Sequence, residues 1–254
     1  MLAFAEVGTG PPIVFLPGVT CSREHWRPVA DLISTDYRCV LIDPPGHGES
    51  PPGPMDVIHQ AGAIREVVDH LQLEEPTLAG HSAGGIAATV YAILHPCGGV
   101  FSIEGTLDLT GPFAQDVYRY RELILDPDRF EEGFRKVVEP MRPELIPDER
   151  SDWALSLIGG TREVVLDGWR DLLAGRGEEL NAQLRAALPS LNCPLLVVWG
   201  EEPPTGEQAM VKLAPQGAIE GWPGLGHFVH LVDPERTATR LREFVQSNEE
   251  ATIA

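Results

Sequence analysis

The pentapeptide Gly80-His81-Ser82-Ala83-Gly84 sets a hydroxyl nucleophile within a glycine-flanked turn. The apolar run Thr77-Leu78-Ala79 leads into it, and Gly85-Ile86-Ala87-Ala88-Thr89-Val90-Tyr91 continues it as a helix-forming segment. Strand, sharp turn and helix are the context in which Gly-x-Ser-x-Gly exposes its serine at the end of a sheet. Glycines at the flanks let the backbone on either side approach without a clash of side chains. The chemistry on offer is attack of Ser82 on an acyl carbonyl, with a covalent intermediate, once a base removes the hydroxyl proton. The amide that follows, from Ala83, points toward the oxyanion that such an attack creates. A plain strand-to-helix turn could match the pentapeptide by chance, but it would not require the patterns on both sides.

Other reactive groups are less organised. Cys21, Cys39, Cys97 and Cys193 are scattered, with no CxxC pair and no compact ligand spacing. Cys39 and Cys193 adjoin apolar strand candidates and read as buried, reduced thiols. Asp43, His47, Glu104 and His227 form no recognisable ligand set, so no metal is expected. No phosphate loop or dinucleotide fingerprint appears either, so no cofactor is expected and water is the only necessary co-reactant. The charge is unusual: 38 acidic against 19 basic residues, net −19. Such a surface repels polyphosphates, which argues against nucleic acid and anionic membranes as partners. No apolar segment approaches transmembrane length, and the first residues show no signal-peptide pattern; a cytoplasmic protein is expected. Nothing fixes whether the chain forms a homo-oligomer.

These groups need a scaffold. Short apolar runs at 13–16, 39–42, 78–80, 100–103 and 195–199 lack polar alternation, as strands of a sheet covered on both faces do. Helical patterns over 24–34, 57–71 and 85–94 alternate with them. Asp233 is placed to cap a final helix with Pro234 in its first turn and Ala238, Leu241, Phe244 and Val245 on one face. Between 109 and 189 the alternation stops: 114–125, 129–138, 152–157 and 162–173 read as helices with Pro or Gly breaks. An all-helical insertion of about this length is too long for one crossover and reads as a cap over the strand ends, where such sheets carry their sites. The expected division is a core of 1–108 with 190–254 and a cap of 109–189.

In order and spacing, the chain resembles the α/β-hydrolase superfamily. The resemblance rests on the Ser82 elbow, on Asp43-Pro44-Pro45-Gly46-His47-Gly48-Glu49-Ser50, on Pro194-Leu195-Leu196-Val197-Val198-Trp199-Gly200 and on Gly224-Leu225-Gly226-His227-Phe228. It implies an α/β fold with a mostly parallel sheet and a helical cap inserted after the family's sixth strand. It implies His227 as general base, with His230 as a rival, His81 lining the elbow and His47 in a structural loop. The second oxyanion amide would come from the loop Leu16-Pro17-Gly18-Val19-Thr20, with Val19 favoured; many relatives have His-Gly where this chain has Pro17-Gly18.

The triad acid departs from the common pattern, because Pro203 stands where relatives place an aspartate. Glu104 ends the apolar run Phe101-Ser102-Ile103, where a lone carboxylate is costly unless hydrogen bonded. A His227 N–H would meet that need, and zearalenone-type lactonases resemble this layout. Glu202, Glu201 and Asp108 remain alternatives.

Serine rather than aspartate as nucleophile suits acyl transfer, so the resemblance implies hydrolysis of a small-molecule ester, as a lactonase or carboxylesterase acting on a lactone or bulky apolar ester. Two alternatives stand beside it: a hydrolase cleaving a carbon–carbon bond of a diketone, and a noncatalytic ligand-binding protein on the same fold. Trp26 and Trp153 are candidates for the substrate pocket, and two or three of the cap aromatics are expected to face the ligand.

Overall fold

Alternate residues of the central strands pack to opposite faces, and both sets are apolar. Val14, Leu16, Val40, Ile42, Leu78, Val100, Leu195 and Val197 lie in one buried cluster. Ile13, Phe15, Cys39, Leu41, Ala79, Phe101, Ile103, Leu196 and Val198 lie in another on the far side. A period of two with no polar face requires helices on both sides. The computed structural model, which describes residues 1–157 and 162–253, has that arrangement.

Seven strands form one sheet: β1 (Phe4–Val7), β2 (Pro12–Leu16), β3 (Arg38–Ile42), β4 (Thr77–His81), β5 (Gly99–Ile103), β6 (Leu195–Trp199) and β7 (Gly217–Gly221). Their spatial order is β1-β3-β2-β4-β5-β6-β7. Only β1 runs antiparallel to its neighbour; Leu16 pairs with Gly80 and Ile103 with Val198 in the parallel part. The expected strands are all present. β1 and β7, at the two edges, add to them.

The helices outside the insertion are α1 (Arg27–Ile33), α2 (Val57–His70) and α3 (Ala83–Leu94). Between β5 and β6 the described residues hold helices and no strand. They are α4 (Pro112–Arg119), α5 (Arg121–Leu125), α6 (Phe130–Val138), α7 (Asp148–Leu157), α8 (Arg162–Gly168), α9 (Arg170–Leu173) and α10 (Gly177–Ala187). α11 (Thr205–Val211), α12 (Val229–Val232) and α13 (Pro234–Ile253) complete the chain.

The segment expected as one helix over 114–125 is two, parted at Tyr120, and that over 162–173 is parted at Trp169. The final helix begins as its sequence implies, with the Arg236 N–H donating to Asp233 Oδ1 at 3.0 Å. Among the described residues no helix is long and apolar enough to cross a membrane.

α1 and α13 cover one face, through Val29, Ala30, Ile33, Leu241 and Phe244. α2, α3 and the inserted helices contribute to the cluster on the other. Parallel strands all end at one edge, and β2, β4, β5 and β7 each release a candidate site residue there.

Candidate active site

Ser82 follows β4 directly, with φ 53° and ψ −121°. A non-glycine residue holds this conformation only where its surroundings over-determine it. Here the Ser82 N–H donates to the Ile103 carbonyl at 2.8 Å, tying the elbow to β5. Gly84 then passes so close to β2 that a Cβ on it would lie 2.2 Å from the Leu16 carbonyl oxygen. That is why the fifth position of the motif has no side chain. Ala83 opens α3, so its N–H has no intrahelical acceptor and sits at the positive end of the helix dipole.

Glu104 directly follows β5, also at positive φ (52°), and its N–H donates to the Val198 carbonyl across the sheet at 2.9 Å. Both carboxylate oxygens are engaged. Oε1 accepts the Gly200 N–H at 2.6 Å, and Oε2 lies 3.2 Å from His227 Nδ1. With the carboxylate as acceptor, the proton between them belongs on Nδ1, which leaves Nε2 of His227 as the basic nitrogen. Glu104 is 9% exposed. At that depth a carboxylate with two hydrogen bonds is tolerable where a bare one is not. His227 itself is fixed through its backbone, its N–H donating to Met141 of the insertion at 3.0 Å.

Glu201 and Glu202, the alternative acids, line the same cavity but make no hydrogen bond to His227. Glu201 pairs with Arg142 at 3.1 Å. Asp108 accepts from Thr110 and from Asn181 Nδ2, and these bonds hold its carboxyl below the usual range against the opposing effect of burial.

His230 is fully buried between the rings of Trp26 (4.5 Å) and His81 (4.4 Å). Burial first, then neighbouring histidines, push both His230 and His81 well below the ordinary imidazole range. Neither carries a proton at neutral pH beyond its single N–H. His81 donates Nε2–H to the His227 carbonyl at 3.1 Å, a support for His227 that its place in the elbow did not reveal.

Trp26 corrects the expectation that it lines a substrate pocket. It is fully buried on the opposite face of the sheet, against Phe15, with Nε1 donating to the Leu16 carbonyl at 3.1 Å. The side chain of Trp153 lies outside the described residues.

Val19 sits in a turn closed by Cys21 N–H to the Gly18 carbonyl at 3.1 Å. The next amide, Thr20, donates to His47 Nε2 at 2.9 Å, while His47 Nδ1 donates to the Pro45 carbonyl at 2.9 Å. Burial holds His47 below its ordinary pKa, which keeps Nε2 free to accept. The glycine-rich loop at 43–50 therefore carries the support for Val19. Asp43 braces the same loop by accepting from Arg23 and from the Glu49 N–H.

Ser82, Ala83, Val19, Glu104 and His227 all line one cavity of about 650 Å³. Of the described aromatic side chains between β5 and β6, Phe113 and Trp169 reach it. Phe134 stacks on Trp169 and Phe130 on Phe134, so these two serve packing. Among the described residues no group of three His, Cys, Asp or Glu side chains is placed to hold a metal ion.

A sheet of this order, with a serine on a strained turn after a central strand and a histidine after the last, defines an α/β hydrolase. The profile of the Alpha/beta hydrolase family matches residues 13–240, and the chain belongs to that family. Over 96% of its length it is 24% identical to a non-heme haloperoxidase of Rhodococcus erythropolis, covering 95% of that protein. Its fold is similar to that of a thermophilic esterase from Thermogutta terrifontis (TM-score 0.68, 24% identity, 97% of this chain and 93% of that one). It is also similar to the enol-lactonase from Burkholderia xenovorans LB400 (TM-score 0.73, 19% identity, 96% of each chain).

Proposed function

We propose that this protein is a serine hydrolase that cleaves a neutral, apolar carboxylic ester or lactone through an acyl-enzyme. The observation that carries the reading is the 3.2 Å contact between Glu104 Oε2 and His227 Nδ1 at the wall of the cavity that Ser82 also lines. In this reading His227 Nε2 takes the Ser82 proton as Oγ attacks the carbonyl. The imidazolium, held by Glu104, then gives that proton to the leaving oxygen. Water is activated by the same nitrogen in the second half and releases the acid. The amides of Val19 and Ala83 take the oxyanion. The inserted helices α4–α10 act as a lid that excludes bulk water and shapes the substrate. All four cysteines are buried, Cys97 and Cys193 with their sulfurs 3.4 Å apart, and reduced thiols at these places fit a cytoplasmic setting.

The test is hydrolysis of a panel of aryl esters and macrocyclic lactones by wild type and variants. Ser82→Ala and His227→Ala are expected to lower kcat by about 10⁴-fold or more, and Glu104→Gln by about 10³–10⁴-fold with the fold intact. Glu202→Gln is expected to stay near wild type. A Glu104→Gln enzyme of wild-type activity, or a Glu202→Gln enzyme without any, would overturn the acid assignment.

A further inference from the structure

The cavity does not stop at the nucleophile. Ile86, Val90, Ile93 and Leu94 line it along one stripe of α3 that starts at Ser82 and runs the length of the helix. Leu184 and Ala187 of α10 line it as well. At 1.5 Å per residue the stripe from Ala83 to Leu94 is about 16 Å long. Within α3 and α10 the one polar lining side chain is Gln183, which is exposed, as Leu94 is at the end of the stripe. An apolar passage that begins at a nucleophile and opens to solvent suits a flexible hydrocarbon chain better than a compact ring.

The orientation follows from the proton transfer. The leaving oxygen must lie on the His227 side, where Met141, whose carbonyl accepts the His227 N–H, also lines the cavity. The acyl part then extends the other way, along α3.

We infer that the α3 passage is an acyl-chain subsite and that the substrate carries a linear, saturated, uncharged acyl group. This rests on the acyl-enzyme reading above. At the roughly 3.5 Å that three chain bonds advance when extended, about a dozen carbons fill the passage. The acidic lining residues Asp56, Asp116, Asp167 and Asp171, with Arg142 and Arg170 as the lining arginines among the described residues and each already paired with an acid, disfavour a chain that ends in a carboxylate.

The experiment is a series of p-nitrophenyl esters from acetate to palmitate, with wild type, Ile93→Phe, Ala187→Phe and Ser82→Ala. The expected result is kcat/KM rising by up to about fourfold per methylene, the equivalent of about 0.8 kcal/mol per buried CH₂, and levelling near the dodecanoate. Ile93→Phe and Ala187→Phe are expected to move that optimum to shorter chains, by tenfold or more in kcat/KM relative to each variant's own value for the acetate. Ser82-dependent turnover of acetate with no gain from longer chains would overturn the subsite and leave the hydrolase reading standing. Loss of all Ser82-dependent turnover would instead strike at that reading.

Binding of dodecanamide and hexanamide to Ser82→Ala, followed calorimetrically, decides the subsite without chemistry. Dodecanamide is expected to bind at least tenfold tighter, with the advantage lost in Ser82→Ala/Ala187→Phe. Equal binding of the two amides would overturn the inference.

Discussion

The proposed site residues Ser82, Glu104 and His227 come from three separate loops, and each was marked out by its own neighbourhood in the chain. The serine was marked by its turn, and the glutamate by sitting at the end of an apolar run where a carboxylate needs a partner. The histidine was marked by flanking glycines and family spacing. What could not be read was whatever depends on which face of the sheet a residue reaches. Trp26 is aromatic and close in sequence to the Val19 loop, yet it packs beneath the sheet with His230. The bond from His81 to the His227 backbone spans 146 positions and leaves no local trace. The same crowding makes Gly18 sensitive. A Cβ there would stand 3.0 Å from Ser82 Cβ and 3.2 Å from His81 Nδ1. Both neighbours are held, one by the strained elbow and one by its hydrogen bond. Gly18→Ala is therefore expected to shift the nucleophile by a few tenths of an ångström, lowering kcat by about 10–100-fold. The melting temperature should change little. Steady-state kinetics beside thermal unfolding checks this; unchanged kcat would show that the Val19 loop yields instead.

The elements that position the site are tied together by buried polar side chains. Glu207 of α11 is 1% exposed, and its carboxylate accepts the Leu107 N–H (2.9 Å), the Asp108 N–H (2.9 Å) and the Thr106 hydroxyl. Burial raises its pKa against the lowering effect of these bonds. Asn181 of α10, also fully buried, accepts from the Leu109 N–H at 2.7 Å and donates to Asp108. Together they clamp the stretch between Glu104 and the first inserted helix. Glu207→Ala would leave the buried Leu107 amide and the half-buried Asp108 amide without acceptors, at about 1–3 kcal/mol for a fully buried one. Urea unfolding is expected to show a loss of about 2–5 kcal/mol, with kcat reduced because Glu104 lies three residues from the freed segment. A change below about 1 kcal/mol would mean that water takes the acceptor role.

None of these anchors was apparent in the sequence, because a glutamate in an amphipathic helix looks like any exposed one. The central strands were legible because burial on both faces leaves nothing but apolar residues. The edge strands were not. β7 begins and ends with glycine and has a glutamate inside it, and β1 is partly exposed along its length. α10 was not among the helices read from the stretch 109–189.

At the scale of the whole molecule the net charge of −19 and the buried histidines set opposite responses to acid. His25, His47, His81 and His230 are all buried, and burial is the leading cause that lowers each pKa, the last two strongly. A histidine whose pKa is depressed by folding stays neutral in the native state while the unfolded chain takes up protons below about pH 6.5. The stability linked to it is therefore complete above the unfolded pKa and is lost as pH falls toward the folded one. Between pH 7.5 and 5.5 each strongly shifted histidine removes about 1 kcal/mol, and the four together about 2–4 kcal/mol. Relief of acidic self-repulsion works the other way, but it requires protonating carboxylates, whose ordinary pKa values near 4 lie below this window; Glu207, whose pKa burial raises, also works the other way, as one group against four. The histidines thus decide the sign here. The urea midpoint is expected to fall between pH 7.5 and 5.5, at constant ionic strength. Replacing His230, which makes no hydrogen bond through either ring nitrogen, by Phe should flatten that fall. A midpoint that holds or rises as the pH drops would mean that charge repulsion outweighs the buried imidazoles even before the carboxylates titrate.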